Sequence, residues 1–88
     1  MSRLQKALDK ILRAQADVDL DFDTLIAILK RLGFSERVRG SHHIFTHPRV
    51  DGILNIQPKG GNAKPYKVKQ VRQALVESGL TVIPRDEV

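Results

Sequence analysis

The sequence contains no cysteine. That excludes a disulfide scaffold, a thiol nucleophile and a thiolate zinc site. No apolar run comes near the roughly 18 residues that a membrane-spanning helix needs. The opening stretch MSRLQKALDKIL is amphipathic and carries Asp9. It lacks the unbroken apolar segment of a secretory leader. The expectation is a cytoplasmic protein with no membrane partner. No internal repeat is visible. Acidic residues are in the minority, with 10 Asp and Glu against 15 Lys and Arg, a formal net charge of +5 and a pI near 10.0. A small basic domain is a candidate binder of nucleic acid or of an acidic partner. With 88 residues, one domain spanning 1–88 is the expectation. A chain this short buries only about 60–65% of the surface its unfolded form exposes. The hydrophobic share of 41% is enough for a globular core and too high for a disordered tail.

The positive charge is concentrated. Residues 35–75 hold eight basic residues, Arg37, Arg39, Arg49, Lys59, Lys64, Lys67, Lys69 and Arg72, against Glu36 and Asp51. The rest of the chain is close to neutral. His42, His43 and His47 lie in the same basic stretch. A charge run alone is often a solubilising face. Histidines and glycines within it favour a site for a polyanion.

Residues 2–14 read as a helix, with Leu4, Ala7, Leu8, Ile11 and Leu12 on one stripe and Ser2 able to cap it. Ala14–Leu20 reads as a polar connector. A second helix is expected over Phe22–Leu32, capped by Asp21 or Asp23 and closed by Gly33 in the left-handed conformation, with Phe34 folding back. Its buried face is Leu25, Ile26, Ile28, Leu29 and Leu32. From Ser35 the period drops to two. Arg37–Arg39 and His42–Thr46 read as strands joined by a tight Gly40-Ser41 turn. Asp51-Gly52 signals a hairpin turn into a third strand, Gly52–Ile56. Lys59–Lys64 reads as a flexible basic loop. A last helix follows over Tyr66–Ser78, with Pro65 at its first position and Gly79 as its stop. Val68, Val71, Ala74 and Leu75 face the core, while Lys69, Arg72 and Gln73 face away. Leu80–Ile83 is expected to pack back and Arg85–Val88 to fray. The order is α-α-β-β-β-α, a two-layer α+β domain. Its αβββα part is that of double-stranded RNA-binding domains.

Three histidines within six positions invite a metal site. On an extended strand, His43 and His47 share a face but stand about 13 Å apart at roughly 3.3 Å per residue. His42 points the other way, so no ion held at ~2.0–2.1 Å takes all three. No metal and no cofactor are expected. Ser41 beside His42 is a weak sign of nucleophilic catalysis, because no acid or oxyanion hole is placed near it. General acid–base chemistry on RNA needs less. RNA carries its own nucleophile, the 2′-hydroxyl, and histidine is the side chain suited to take a proton near neutrality.

The block Gly40-Ser41-His42-His43-Ile44-Phe45, followed by His47-Pro48, resembles the signature of the HicA family, mRNA interferase toxins of type II toxin–antitoxin systems. The similarity runs back through Leu29-Lys30-Arg31-Leu32-Gly33-Phe34 and forward through Ala63-Lys64-Pro65-Tyr66, covering about residues 20–80. Residues 2–16 are then an accessory N-terminal helix. Asn55-Ile56-Gln57-Pro58-Lys59 departs from the Ile-Pro-x-His-type ending common in many members, so a second histidine is missing there.

The resemblance implies a double-stranded RNA-binding-like fold, a metal-independent endoribonuclease acting on mRNA, and inhibition by a HicB-type antitoxin. It makes His42, the histidine after Gly-Ser, the catalytic general base. Arg39 or Lys64 would neutralise the phosphate, and Ser41 would shape the turn or bond a phosphate. Lys59, Lys64 and Lys69 would line the RNA backbone, with Arg37 and Arg39 as the alternative path. Tyr66 either stacks on a base or packs. Two other readings are a non-catalytic RNA-binding module of the same fold and a subunit that only docks an acidic antitoxin.

Overall fold

The computed structural model describes residues 3–84. The Ser2 cap and the fraying of Arg85–Val88 lie outside the described residues. Helix α1 spans Arg3–Leu12 and α2 spans Phe22–Arg31. Strands β1 (Ser35–Arg39), β2 (His42–Thr46) and β3 (Leu54–Ile56) form one antiparallel sheet in that order. A two-stranded hairpin follows, β4 (Pro58–Lys59) and β5 (Asn62–Ala63), and then helix α3 (Pro65–Ser78). The α+β class and the αβββα order with an extra N-terminal helix are as the sequence implied.

The helix ends follow local chemistry. Asp21 caps α2, its carboxylate accepting from the Thr24 N–H at 3.0 Å. At the other end Gly33 sits at φ +99°, Phe34 N–H donates to the Leu29 carbonyl and Gly33 N–H to that of Lys30. This is the Schellman closure, and it turns the chain directly into β1 with Phe34 buried. Gly79 at φ +75° ends α3 with the same pair of bonds, from Leu80 to Leu75 and from Gly79 to Val76.

The sheet alternates as its period demands. Phe45, Leu54 and Ile56 are buried beneath the helices, and Ile44 and Asn55 point to the opposite face. One core joins Leu25, Ile28 and Leu29 of α2 to Val68, Val71 and Leu75 of α3 and to this sheet face. Leu8 and Ile11 of α1 are fully buried in that same core, so the extra helix is a packed layer. Ile83 is buried and its N–H donates to the Gln5 side chain at 2.7 Å, which brings the apolar tail back onto α1.

Four expectations need correction. The third strand begins at Leu54, and 47–53 is a longer connection built on a turn in which Val50 N–H donates to the His47 carbonyl. Pro48, without an N–H, keeps that segment out of the ladder. The segment 59–64 is no flexible loop. Gly60 and Gly61 both have positive φ, +60° and +82°, the type I′ turn that closes a two-residue hairpin. Phe22 N–H donates to the Gly61 carbonyl and Ala63 N–H to that of Leu20, so the hairpin is clamped to the start of α2. The connector 14–20 is not merely polar, because Leu20 joins the core. Arg72, expected to face away, bonds both carboxylate oxygens of Asp17 at 2.7 and 3.1 Å and the Ile11 carbonyl at 3.1 Å. Both side chains are about one-fifth exposed. Pairing satisfies an arginine that helix periodicity alone assigns to water.

The Arg72 guanidinium holds the Asp17 carboxyl below its usual value of 3.8. A depressed carboxyl contributes stability that is full above that value and lost as the pH falls through the lower, folded one. Asp17→Asn should therefore destabilise the fold by about 1–3 kcal/mol at neutral pH, the range for charge-assisted bonds. The deficit should shrink toward pH 2. Urea unfolding of both proteins at pH 7 and at pH 2–3 checks this; an unchanged gap would remove the pair from the stability balance.

Candidate functional site

The Gly40-Ser41 turn is the first element of the site. Only Gly40 of the two has positive φ, +58°, which fits a type II′ hairpin turn with glycine first. The turn pairs Arg39 with His42 across the ladder. Directly paired residues share a face at about 4.5–5.5 Å between Cβ atoms. Arg39 is thus the cross-strand neighbour of His42, and Arg37, two residues on, lies on the same outer face. Ser41 is exposed in the turn itself.

The two adjacent histidines have separate surroundings. His43 faces inward, its ring edge-on to Phe22 at 5.0 Å between centroids. Its Nδ1–H donates to Glu36 at 2.7 Å, and Lys30 reaches the other Glu36 oxygen at 3.3 Å. The bond from His43, joined by Lys30, holds the Glu36 carboxyl below the ordinary range against the opposing effect of burial. His47 accepts the Arg49 N–H on Nδ1 at 3.0 Å and packs on Phe34. Both are tied into structure.

His42 is exposed. Its Nδ1 lies 3.0 Å from Asn55 Oδ1. With the Asn55 amide in this orientation its oxygen accepts from Nδ1–H, which in the neutral ring leaves the lone pair on Nε2. The ring lines a cleft of about 180 Å³ together with Asn55, Gln57, Lys64, Tyr66 and Lys67. The cleft opens where the edge strand β3 meets the N-terminus of α3. The β4–β5 hairpin delivers Lys64 there as the N-terminal cap residue, with its side chain making no capping bond. The cleft therefore combines one imidazole with two ammonium groups and no carboxylate.

Of the residues singled out in the sequence, His42, Lys64 and Tyr66 meet in this cleft, Tyr66 exposed and not packed in the core, and Arg39 adjoins it. Lys59 lies in β4 and is not among the lining residues. Lys69 acts electrostatically on Asp17, on the flank of α3 away from Lys67. Asn55, Gln57 and Lys67 were not singled out as site residues. Asn55 and Gln57 come from the stretch that departs from the common family ending. Lys67 carries a weak signal, since it stands three residues after Lys64 in the first turn of α3. Among the described residues, no group of three or more His, Cys, Asp or Glu side chains is arranged to hold a metal ion, and no helix is long and apolar enough to cross a membrane.

The family model of the HicA toxin of bacterial toxin–antitoxin matches residues 22–80, about two-thirds of the chain. The chain belongs to the HicA toxin family. Searches of curated proteins and of solved structures each find no match. The HicA match begins at the first residue of α2 and ends just after α3, so it takes in every lining residue of the His42 cleft.

The Asn55 contact makes a direct prediction. Long-range ¹H–¹⁵N NMR spectra of the neutral His42 ring should show the proton on Nδ1. In Asn55→Ala that preference should fall toward the Nε2–H form common for free imidazole. A wild-type ring protonated on Nε2 would remove Asn55 as the group that sets the tautomer.

Proposed function

We propose that this HicA protein is a metal-independent endoribonuclease that cuts mRNA, with His42 as general base, and that a HicB-type antitoxin holds it inactive. The observation that carries the reading is the exposed His42 ring, bound through Nδ1 to Asn55 and set in a cleft with two lysines. In that tautomer Nε2 can take the proton of a 2′-hydroxyl. The 2′-oxygen then attacks the adjacent phosphorus and the P–O5′ bond breaks. One product ends in a 2′,3′-cyclic phosphate and the other in a 5′-hydroxyl. The imidazolium returns its proton to the departing 5′-oxygen.

Charge builds on the phosphate during this step. Lys64 and Arg39 stand on either side of His42 in the cleft and across the ladder, and the dipole of α3 adds positive potential at its N-terminus. Arg37 extends the positive outer face of the sheet, and Ser41 offers a hydroxyl at the turn. Lys59 and Lys69, remote from the cleft lining, would contact only more distant phosphates. A cleft without carboxylates is poorly suited to magnesium, whose sites use carboxylate oxygens. The αβββα fold also supports a second reading, a non-catalytic RNA-binding module. The two separate at His42, because a binder needs no proton acceptor there.

His42→Ala should abolish cleavage and leave the circular dichroism spectrum unchanged. His43→Ala should instead lower thermal stability, since its ring packs on Phe22 and bonds Glu36. An active, folded His42→Ala protein would sink the catalytic assignment in favour of the second reading.

Cleavage should also survive excess EDTA and leave 2′,3′-cyclic phosphate ends, detected by end-group analysis of a short RNA. Activity that disappears on chelation and returns with magnesium would overturn the metal-independent route.

A further inference from the structure

The chain has four aromatic side chains of the Phe, Tyr and Trp class, three Phe and one Tyr. Phe22, Phe34 and Phe45 are all in the core, at 5%, 5% and 0% exposure. Tyr66 is the exception, 55% exposed at the second position of α3. The hydrophobic effect does not explain its place, since the core is closed without it. It lines the cleft that holds His42, and Lys67 Nζ stands 5.7 Å from its ring centroid. The ammonium stands over one face of the ring, a cation–π placement, and with the residue 55% exposed the ring remains open to solvent elsewhere.

An exposed aromatic ring set among cations, next to a proton acceptor, is the composition that receives an unpaired base and its phosphate. Every base has a flat apolar face, and stacking it on the ring removes both faces from water. Gln57, on the same lining, carries an amide with donors and an acceptor that can meet a base edge. We infer that Tyr66 is the stacking platform of a nucleobase subsite beside His42, and that the cleft therefore takes single-stranded RNA. The inference rests on the reading of this cleft as the RNA site and does not depend on cleavage. A base within an A-form duplex is covered on both faces by its neighbours and cannot stack on a side chain. The chain thus selects unpaired RNA despite a fold shared with readers of the duplex.

Tyr66 is the only tyrosine, and there is no tryptophan, so the intrinsic fluorescence of the full chain reports this ring alone. The probe is a single-stranded 2′-O-methyl oligonucleotide, which has no free 2′-hydroxyl and cannot be cut by the route above. The comparisons are the same strand annealed to its complement and an abasic strand of equal charge. Tyrosine emission should be quenched by the single strand and unaffected by the duplex or the abasic strand. In anisotropy titrations, Tyr66→Ala should lose between about fivefold and a hundredfold in affinity for the single strand, the span of one base–aromatic stack. It should lose little for the abasic strand, and Tyr66→Trp should retain affinity. Equal affinity of wild type and folded Tyr66→Ala for the single strand, or equal quenching by duplex, overturns the inference. If the wild type shows the quenching but cuts no RNA, the nuclease reading fails and the subsite stands. If it cuts RNA while Tyr66→Ala binds normally, the subsite alone fails.

Discussion

The Gly40-Ser41 turn sets the site, because everything chemical in the molecule depends on its register. A strand has a side-chain period of two, and a shift of one residue exchanges its faces. His42 and His43 are adjacent, so one slip would swap them. His43 would leave Phe22 and Glu36, and His42 would be driven into the core. The two-residue turn prevents that by pairing Arg39 with His42, and Phe45 opposite Leu54 locks the other side of the strand. A glycine with positive φ and one large buried ring together hold an exposed imidazole where solvent can reach it.

A second constraint brings the cations. Helix α3 would be free to enter at many angles if 59–64 were a loose loop. The Gly60-Gly61 turn closes it into a hairpin, and the backbone bonds to Leu20 and Phe22 tie that hairpin to α2. The first turn of α3 then lands beside the edge of β3, with Lys64, Tyr66 and Lys67 toward His42. The glycines serve backbone geometry, and the neighbouring lysine and tyrosine are aimed by it. The cations of the cleft are thus placed by a segment whose buried core residue is Ala63.

The sequence was most legible where a few consecutive residues carry the whole cause. Asp21, Gly33 with Phe34, and Gly79 mark helix ends through local bonds and Pro65 through its fixed φ, and each does so in the structure. The strand carrying His42 and His43 was readable from its β-branched and aromatic residues. What was hidden depends on residues distant in the chain. Arg72 reads as a solvent-facing cation until α1 and the connector bring Asp17 to it, 55 positions away. Asn55 has no signature of its own, and only the pairing of β2 with β3 puts its amide beside His42. The period of α3 sends Lys67 and Lys69 to different flanks. Nothing in that period says which flank meets the sheet edge.

The N-terminal helix separates two boundaries that usually coincide. The stretch that identifies the family begins at Phe22, but the body that folds begins earlier. Leu8 and Ile11 are wholly enclosed, and each such side chain is worth about 1.5–3 kcal/mol of burial. Small domains have a net stability of only about 5–15 kcal/mol in total. Cutting the chain at the edge of its family resemblance would strip a wall from its interior and leave Arg72 without the carbonyl and carboxylate that accept its hydrogen bonds. Ancestry is written in residues 22–80, whereas the cooperative unit of this protein also includes the helix that precedes them.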